Sequence, residues 1–298
     1  MPQNHLQFGL SEQQAADRLI ALGLAEDLGA PGDLTTRALV EPGRRGVVQI
    51  VSRQPGVLAG LPIVARVFQG LGAAVEVHPL ADDGNPLEPG SIVARLAGPL
   101  AALLEAERTV LNFLTHLSGI ATLTSRFVAA AGPGRARVFD TRKTLPGWRT
   151  LEKYAVRAGG GCNHRTGLYD MILIKDNHLA GWCTGAAQRT LAAAVQQARA
   201  RAPKGTVIEI EVDTLDQLAD ALDGHPEIVL LDNMAPPDLR RAVEIRDARA
   251  PHVALEASGG VTLGTIAAIA AAGVERISVG QLTHSASALD LGLDWAPG

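Results

Sequence analysis

Residues 137–178 read RVFDTRKTLPGWRTLEKYAVRAGGGCNHRTGLYDMILIKDNH, and this stretch decides both the fold and the place of the site. It contains two apolar runs, at 138–139 and 171–174, and each run stops at a cluster of polar residues. We interpret the two runs as the ends of strands. In parallel α/β folds, the loops beyond the carboxyl ends of the strands carry the ligands. The residues expected at such positions are Arg142, Lys143, Lys175 and His178.

The same window is basic, whereas the whole chain has a formal charge of -4. Its basic residues are Arg137, Arg142, Lys143, Arg149, Lys153, Arg157, Arg165 and Lys175. Its acidic residues are Asp140, Glu152, Asp170 and Asp176. Nucleic-acid binders usually spread an excess of positive charge over a whole domain. A local cationic cluster in an acidic protein therefore favours a small anionic ligand and argues against nucleic acid.

Beyond residue 137 the chain repeats one pattern, in which an apolar run ends in a polar residue or glycine and a helical segment follows. The predicted strands are 137–140, 171–175, 207–212, 227–231, 253–257 and 276–279. The predicted helices are 148–159, 185–202, 214–223, 237–247, 262–272 and 284–291. Six β-then-α units indicate a parallel sheet. Polar strand ends favour a barrel, and six units rather than eight predict an incomplete, open, TIM-like α/β barrel.

The first part of the chain has a different pattern. An amphipathic helix is expected at 11–29, and short strands and turns fill 46–96. A long helix is expected from about 100 to 131. We therefore predict an N-terminal α/β domain at 1–112 and the barrel at 113–298, with the C-terminal residues able to pack back on the first domain.

The later strand ends carry groups of a second chemical kind. Glu211 and Asp232 offer hard oxygen ligands, which suit Mg²⁺ and ribose hydroxyls. Ser258-Gly259-Gly260 precedes a predicted helix with Thr262 as its N-cap, an arrangement that presents backbone N–H groups to a phosphate. A second loop of this kind is Val279-Gly280-Gln281. Each feature alone is weak, but their recurrence in successive units predicts a ligand with carboxylates, phosphates and a metal-bridged group.

Composition limits the class of protein further. Hydrophobic residues make up 47% and charged residues 19% of the chain, as in globular proteins with a sizeable core. The two cysteines, Cys162 and Cys183, form neither a disulfide framework nor a metal cluster. The N-terminus lacks the basic and apolar regions of a signal peptide, and no apolar run approaches the ~20 residues of a membrane span. The sequence therefore predicts a cytoplasmic protein.

The pattern DTRKT…LEKYAVRAGGG…NHR.GLYD…IKDNH strongly resembles the quinolinate phosphoribosyltransferases, which are pentosyltransferases. The segment ERTVLNFLTHLSGIAT, which contains Arg108, resembles the second most distinctive segment of that family. The resemblance extends over most of the chain. It implies an open, seven-stranded α/β barrel beside an N-terminal α/β sandwich domain. It also implies a homodimer with a shared active site, while any larger oligomer stays open.

The resemblance also implies roles for individual residues. The pocket for the two carboxylates of quinolinate is expected to contain Arg142, Lys143, His164, Arg165 and Lys175, with Arg108 from the partner subunit. Phosphoribosyl pyrophosphate and Mg²⁺ are expected at Glu211, Asp232, Ser258, Gly259, Gly260, Gly280 and His284. The expected substrate-binding set also includes Thr141, Val279 and Gln281. Lys143, Lys175, Glu211 and Asp232 are the expected catalytic residues, and Glu211 and Asp232 the expected Mg²⁺ ligands, partly through the substrate.

The activity implied by the resemblance is phosphoribosyl transfer to quinolinate with decarboxylation, which gives nicotinate mononucleotide for NAD biosynthesis. Two alternatives stay open from the sequence. Lys175 at a barrel strand end would also suit a Schiff-base aldolase, although the surrounding cations exceed what an imine requires. A re-purposed relative, such as those associated with molybdate-transport genes, is the other. A binding module would be expected to lose Glu211 or Asp232, and both are present.

Overall fold

The computed structural model describes residues 6–182 and 190–296. The first elements are α1 (Leu10–Leu28), α2 (Leu34–Leu39), β1 (Arg45–Ser52), β2 (Gly56–Val57), α3 (Pro62–Gly70), β3 (Glu76–Pro79), β4 (Pro86–Leu87), β5 (Ile92–Pro99) and α4 (Leu100–Ala131). The next are β6 (Arg137–Phe139), α5 (Arg149–Ala158), β7 (Ile172–Ile174), α6 (Asp176–Trp182), α7 (Leu191–Arg201), β8 (Ile208–Val212) and α8 (Leu215–Asp223). The last are β9 (Ile228–Asp232), α9 (Pro236–Arg249), β10 (Ala254–Ser258), α10 (Ile266–Ala270), β11 (Arg276–Ser278), α11 (Gln281–His284) and β12 (Leu291–Trp295).

The chain divides into two compact units, and neither is one continuous segment. The first unit comprises Met1–Ser125, Lys143–Gly160 and Leu282–Gly298. The second comprises Arg126–Arg142 and Gly161–Gln281. The single boundary drawn from the sequence, between 112 and 113, stays a prediction about domains. The units differ from it because α5 and the C-terminal residues group with the N-terminal part of the chain.

The first unit contains a four-stranded sheet in the order β12-β1-β5-β3, and all of its pairs are antiparallel. The helix expected at 284–291 is wrong, because α11 already ends at His284. The chain then forms β12, which pairs with β1 from Val48↔Trp295 to Ser52↔Leu291. An unpaired edge of β1 would leave backbone groups without partners, and β12 satisfies them. The sequence signal of this strand is weak because only five residues form it.

The glycine run of the deciding stretch has a packing role in this unit. Gly159 ends α5, and a Cβ atom there would lie 2.3 Å from the carbonyl oxygen of Ala121 on α4. Gly160 adopts a φ of +84°, which side chains of L-residues rarely adopt. These two glycines therefore let α5 end against α4 and let the chain turn away. At Gly159 the close backbone approach is thus made to a helix rather than to a ligand.

Two acidic turns of the first unit also have structural explanations. Asp33 caps α2, since its carboxylate accepts hydrogen bonds from the amides of Thr35 and Thr36. The hydroxyl and amide of Thr36, which donate to this carboxylate, lower the pKa of Asp33. Asp83 accepts hydrogen bonds from the amide of Gly60 at 2.9 Å and the hydroxyl of Tyr154 at 2.6 Å. The turn around Asp83 thus uses its acid as an internal hydrogen-bond acceptor.

The second unit contains six parallel strands in the order β6-β11-β10-β9-β8-β7. Helices α7 to α10 separate strands that are neighbours in the sheet, as expected for β-then-α units. The described residues give six strands in this sheet, one fewer than the resemblance implies. A parallel bridge between Phe139 and Cys162 extends the β6 edge by one residue. The fold is therefore the open, TIM-like parallel barrel expected from the sequence, together with a separate N-terminal domain.

The helices of this unit differ from the predicted ones in three places. The sequence does not predict α6, which begins directly after Lys175. The first residues of the helix expected at 185–202 lie outside the described residues, and α7 begins at Leu191. The helix expected at 262–272 shortens to α10, because turns occupy 263–265. Among the described residues, no helix has the length and apolar character needed to cross a membrane.

Candidate active site

Four predicted site residues lie at the carboxyl ends of neighbouring strands in the second unit. Asp232 and Ser258 are the last residues of β9 and β10, and they are paired in the parallel register. Glu211 is the penultimate residue of β8, and Lys175 follows the last residue of β7. Because parallel strands end at one edge of the sheet, these side chains share that edge. We call Lys175, Glu211, Asp232 and Ser258 the strand-end row.

Lys175 and Glu211 form an ion pair within this row. The side chain of Glu211 is 13% exposed and that of Lys175 is 41% exposed, so both can still meet a ligand. Lys175 therefore has a carboxylate partner at the strand ends, an arrangement that suits a lysine acting as a cation toward an anionic ligand.

The ends of β9 and β10 are held together by Asn233, a residue that the sequence reasoning missed. Asn233 follows Asp232 and donates a side-chain hydrogen bond to it at 2.7 Å. The backbone N–H of Asn233 donates to the carbonyl oxygen of Ser258 at 2.8 Å, and the φ of Asn233 is +55°. Gly259 has a φ of +90°, and a Cβ atom there would lie 2.2 Å from Asn233 Oδ1. Asparagine tolerates the left-handed region better than most residues, and this preference is the signal that could have indicated Asn233.

The two glycine loops differ from each other and from the expectation. The expected N-cap role of Thr262 is wrong, since α10 begins only at Ile266. Gly260 therefore does not precede a helix directly, and the loop can offer a phosphate its amides but no adjacent helix terminus. Gly280, in contrast, directly precedes α11, and Val279 donates its amide to the carbonyl oxygen of Phe139 at 2.9 Å. Gln281 is the first residue of that helix.

Two arginines of the deciding stretch lie close to each other in the second unit. Burial and the neighbouring charge of Arg142 lower the pKa of Arg165. One N–H of the Arg165 guanidinium donates to the carbonyl oxygen of Met171 at 3.3 Å. Thr141 directly precedes Arg142 and is half-buried. Like charges at short range cost free energy unless an anion joins them, so this arginine pair is suited to a ligand with carboxylates.

A second group of polar residues lies deeper in the same unit, and it comprises His164, Glu209, Glu256 and Arg276. We call these four residues the buried cluster. Glu209 and Glu256 are fully buried, and His164 Nε2 lies 3.1 Å from Glu209 Oε2 and 3.2 Å from Glu256 Oε1. Glu256 also pairs with Arg276 and accepts a hydrogen bond from the Ser278 hydroxyl. The sequence indicated only His164, because the other members lie inside or at the start of strands rather than at their ends.

The pKa values within the buried cluster shift because the charges are confined together. Burial raises the pKa of Glu209. Burial acts in the same direction on Glu256, but hydrogen bonds and the charges of His164 and Arg276 outweigh it and lower the pKa of that carboxyl. Burial alone would lower the pKa of His164, yet the two carboxylates raise it. The contact with Glu209 is electrostatic, since neither Glu209 oxygen has a well-aligned hydrogen bond among the described residues.

Two further predicted site residues line one pocket of the first unit. Lys143 and His284 are both exposed and border a cavity of about 570 Å³. The Thr283 hydroxyl donates to the carbonyl oxygen of Lys143 at 2.7 Å and so fixes the backbone there. His116 lines the same cavity, and its Nε2 lies 2.9 Å from an oxygen of the fully buried Glu152. The sequence reasoning missed His116, although it lies in the distinctive segment around Arg108.

Arg108 lies elsewhere in the first unit. It is exposed on α4 and lines a cavity of about 220 Å³ together with Glu26 and Asp27 of α1. Arg108 thus lines a different pocket from Lys143 and His284. Its expected contact with a partner subunit stays a prediction.

Comparison with known proteins identifies the family of this chain. The N-terminal domain model of quinolinate phosphoribosyl transferase matches residues 33–118, and the C-terminal domain model matches residues 120–294. The nicotinate-nucleotide pyrophosphorylase [carboxylating] of Mycobacterium leprae is 44% identical over 285 residues, which cover 95% of this chain and 98% of the relative. A probable enzyme of the same name from Bacillus subtilis is 40% identical and covers 98% of this chain and 94% of the relative.

Solved structures give the same result. The crystal structure of NadC from Streptococcus pyogenes superposes with a TM-score of 0.88 at 37% identity, covering 98% of this chain and 100% of that one. The nicotinate-nucleotide pyrophosphorylase from Francisella tularensis has a TM-score of 0.86 at 36% identity, covering 95% of this chain and 96% of that one. From both domains, the spacing of the motifs and the open barrel, we conclude that this chain belongs to the quinolinate phosphoribosyltransferase family.

Proposed function

We propose that this protein transfers the phosphoribosyl group of phosphoribosyl pyrophosphate to quinolinate. The products are nicotinate mononucleotide, CO₂ and pyrophosphate, and the reaction supplies NAD biosynthesis. The observation that carries the proposal is the pairing of two kinds of groups in one unit. Arg142 and Arg165 are near enough for the charge of one to lower the pKa of the other, and Glu211 and Asp232 lie at adjacent strand ends. A dicarboxylate and a metal-bridged phosphoribosyl donor need these two kinds of groups.

Quinolinate has two carboxylates on one aromatic ring, and the arginine pair suits them. A guanidinium binds a carboxylate through two parallel N–H donors, so Arg142 and Arg165 can each hold one carboxylate in a fixed plane. Lys143 directly follows Arg142 in the chain, and we assign it with Lys175 to the substrate anions. Binding the ring in this way sets the pyridine nitrogen in one position. Such orientation can supply a large part of the rate enhancement.

Phosphoribosyl pyrophosphate is assigned to the strand-end row and the glycine loops. Ser258, Gly259 and Gly260 offer a hydroxyl and backbone amides, and Gly280 lies at the start of α11. The further residues assigned to this substrate are Thr141, Val279, Gln281 and His284. The donor set also fits Mg²⁺, since Glu211 and Asp232 are hard carboxylate ligands at neighbouring strand ends, and Mg²⁺ is usually held by one or two carboxylates together with substrate phosphates. When bound, the ion would supply positive charge for the leaving pyrophosphate.

The reaction requires no covalent enzyme nucleophile. The bond from the anomeric carbon of ribose to the pyrophosphate oxygen breaks, and the bond to the pyridine nitrogen forms. The positively charged ring then accepts the electron pair of the breaking bond to the 2-carboxylate, which leaves as CO₂, and a proton replaces it at that carbon. Lys143 and Lys175 offset the negative charge of the departing group. Glu211 and Asp232 face the positive charge that develops on the ribose, as carboxylates do in glycoside chemistry.

Assembly and location extend the proposal. We assign the protein to a homodimer in which Arg108 enters the partner's site. Support comes from its exposed position on α4, where the side chain is accessible to a second subunit. Leu22 and Leu34 are exposed on neighbouring helices of this unit, at 63% and 68%, and can be covered by a second copy. The cytoplasmic location expected from the sequence stays a prediction.

One assay tests the activity directly. Purified protein is mixed with quinolinate, phosphoribosyl pyrophosphate and Mg²⁺, and nicotinate mononucleotide and CO₂ are followed together. We expect one CO₂ for each mononucleotide and no turnover when either substrate or the metal is omitted. Nicotinate in place of quinolinate is the matched control, because it lacks the carboxylate that leaves. Turnover without CO₂ release, or none with quinolinate under these conditions, would refute the assignment and leave a re-purposed relative.

A further inference from the structure

His178 holds the backbone of Lys175 at two points. Its Nδ1 accepts a hydrogen bond from the backbone N–H of Lys175 at 3.0 Å. The backbone N–H of His178 in turn donates to the carbonyl oxygen of Lys175 at 2.9 Å, and that of Leu179 donates to the same oxygen at 3.0 Å. A backbone N–H can only donate, so Nδ1 is the acceptor and the ring proton of the neutral imidazole is on Nε2. The two peptide groups that flank the Cα atom of Lys175 are therefore both fixed by the first turn of α6.

The sheet does not hold Lys175 in this way. The parallel register between β7 and β8 ends at Ile174, one residue before Lys175. Within the described residues, β7 pairs with no strand other than β8. Glu211, by contrast, lies inside its strand and is in register with Leu230 of β9. Of the two members of the ion pair, the carboxylate is thus anchored by the sheet and the lysine by His178.

The place of His178 in α6 explains why its side chain can reach this N–H. His178 is the third residue of α6, and Lys175 directly precedes the helix. In a capping box, the third residue of a helix is usually glutamate or glutamine, and its side chain accepts a hydrogen bond from the backbone N–H of the residue before the helix. His178 makes this bond with a ring nitrogen. A glutamine there could supply the same acceptor without the imidazole.

The other surroundings of the ring indicate that His178 acts through Lys175 rather than on a substrate directly. The imidazole borders a cavity of about 250 Å³, whose other lining residues are mostly apolar. The apolar ones are Ile174, Leu179, Trp182, Ala194 and Ala198, and the polar ones are Gln197 and Arg201. A mostly apolar cavity is a poor environment for the carboxylates and phosphates of a substrate.

We propose that His178 is a positioning residue for Lys175. It fixes the direction of the Cα–Cβ bond of the lysine, so that the ammonium group meets Glu211 and, beside it, the anions of the substrates. The inference rests on the proposed function, because it takes these anions to belong to quinolinate and phosphoribosyl pyrophosphate. A residue of this kind contributes by holding a binding group in place, without touching the ligand itself.

Two substitutions at the same position test the proposal. His178→Gln keeps an acceptor for the backbone N–H of Lys175, whereas His178→Ala removes it. We expect His178→Ala to lower kcat/KM for quinolinate about tenfold, and His178→Gln to stay within about threefold of the wild-type protein. Because His178 is exposed, neither substitution should disturb the core, and the melting temperature of each variant verifies this. The matched control is His252→Ala, which removes an exposed imidazole of the same unit and should leave kcat/KM unchanged.

Two kinetic results would overturn the proposal. Equal losses in the alanine and glutamine variants would show that the imidazole itself acts on the substrate. No loss in either variant would reduce the contact with Lys175 to a helix cap.

Chemical labelling tests the position of the lysine without any substrate. An amine-acylating reagent is applied briefly to each protein, and the labelled fraction of Lys175 is measured by mass spectrometry after digestion. We expect His178→Ala to raise the labelling rate of Lys175 about threefold, because a lysine that is held less firmly spends more time away from Glu211. His178→Gln should keep the wild-type rate. Lys204, an exposed lysine of the same unit, is the internal standard, and an unchanged rate at Lys175 in His178→Ala would overturn the proposal.

The labelling experiment also separates this inference from the proposed function. If the wild-type protein does not turn quinolinate over but the labelling of Lys175 responds to His178→Ala as expected, the proposed function falls and the positioning of the lysine stands. If the wild-type protein turns quinolinate over but His178→Ala changes neither labelling nor kcat/KM, only the positioning role of His178 falls.

Discussion

Glu209 and Glu211 are the same residue type on the same strand, two positions apart, and their side chains therefore lie on the same face of the sheet. Glu209 is fully buried and meets His164, whereas the side chain of Glu211 is 13% exposed and pairs with the more exposed Lys175. A shift of two residues along β8 thus separates a buried electrostatic contact from a group that a ligand can reach. The comparison teaches that depth in the barrel, rather than residue type, decides what a carboxylate can do.

The largest difference between the two regions should appear in stability. We expect Arg276→Met to lower the free energy of unfolding by about 3–5 kcal/mol, since it leaves the fully buried Glu256 without a main partner. Lys175→Met should change it by less than about 1 kcal/mol, because the lysine is 41% exposed and its pair is screened by water. Denaturant unfolding of both variants measures the contrast. Similar losses in the two variants would remove the distinction between the buried cluster and the strand-end row.

Sequence reasoning located the strand-end row well, for a physical reason. A parallel strand is visible in the sequence as an apolar run, and the first polar residue after the run lies at the edge of the sheet where ligands bind in such folds. Lys175, Asp232 and Ser258 were found in this way, and Glu211 was found because it lies next to the end of its run. Glu209 was missed because it interrupts the run VIEIEV, and a charged residue inside an apolar run has no distinctive spacing. Its partner Glu256, on another strand, becomes visible only when the sheet is assembled.

The parts of the fold that were not predicted from the sequence depend on contacts between residues far apart in the chain. The strand β12 forms because the edge of β1, about 240 positions earlier in the chain, needs a partner. The hydrogen bonds of Asn233 to Asp232 and Ser258 likewise combine residues of two strands. Long helices fared better, and α4 has the bounds expected from the sequence, because its pattern repeats over 32 residues and needs no distant partner.

The second prediction concerns Arg165, which is assigned to a carboxylate of quinolinate. Arg165→Ala should weaken quinolinate binding by about 2–5 kcal/mol and leave phosphoribosyl pyrophosphate binding nearly unchanged. The reason is that a carboxylate loses both N–H donors of the guanidinium. Calorimetry with each substrate separately measures the two effects. Arg249→Ala is the control, since Arg249 is an exposed arginine of the same unit that pairs only with Asp223 among the described residues. Equal weakening of both substrates would contradict the division of the site.

The third prediction concerns the acids of the strand-end row. Glu211→Gln and Asp232→Asn should each lower kcat about 100-fold, an effect of the size found when one stabilising group of an active site is removed. Raising the Mg²⁺ concentration should restore part of the loss, because each amide binds the ion more weakly than the carboxylate does. Kinetics at several Mg²⁺ concentrations measure this, with the exposed Asp223→Asn as control. An unchanged dependence on Mg²⁺ in both variants would exclude the metal role.

A pair of neighbouring glycines provides a smaller and more local test of the same row. A Cβ atom at Gly259 would lie 2.2 Å from Asn233 Oδ1, whereas one at Gly260 would meet open space. Both have positive φ, but only Gly259 adds a steric conflict with the residue that links Asp232 to Ser258. We expect Gly259→Ala to raise the KM for phosphoribosyl pyrophosphate about tenfold, and Gly260→Ala to cost about 1 kcal/mol of stability with little change in KM. Steady-state kinetics and thermal melting separate the two effects, and equal KM values would show that the Asn233 contact does not shape the loop.

The last prediction asks whether the active site is complete within one subunit or needs Arg108 of a partner. Arg108 is exposed on α4, and by its position in the sequence alone it would be a solvated charge. If it enters the partner's site, Arg108→Ala protein and Lys175→Ala protein should each be inactive, and mixing them under subunit exchange should restore activity. A heterodimer places both lesions in one of its two sites and leaves the other intact. Random mixing of equal amounts makes about half of the dimers mixed, so about a quarter of wild-type activity should return, by the two-fold symmetry of such an interface.

The control for this experiment is a mixture of Glu211→Gln and Lys175→Ala proteins, whose lesions lie in one unit of the same chain. Each site of that mixed dimer carries one lesion, so no activity should return. Recovery in both mixtures would indicate contamination or rearrangement rather than a shared site. If neither mixture recovers activity although mass labelling demonstrates subunit exchange, the active site is complete within one subunit. Arg108 is then a solvated surface charge.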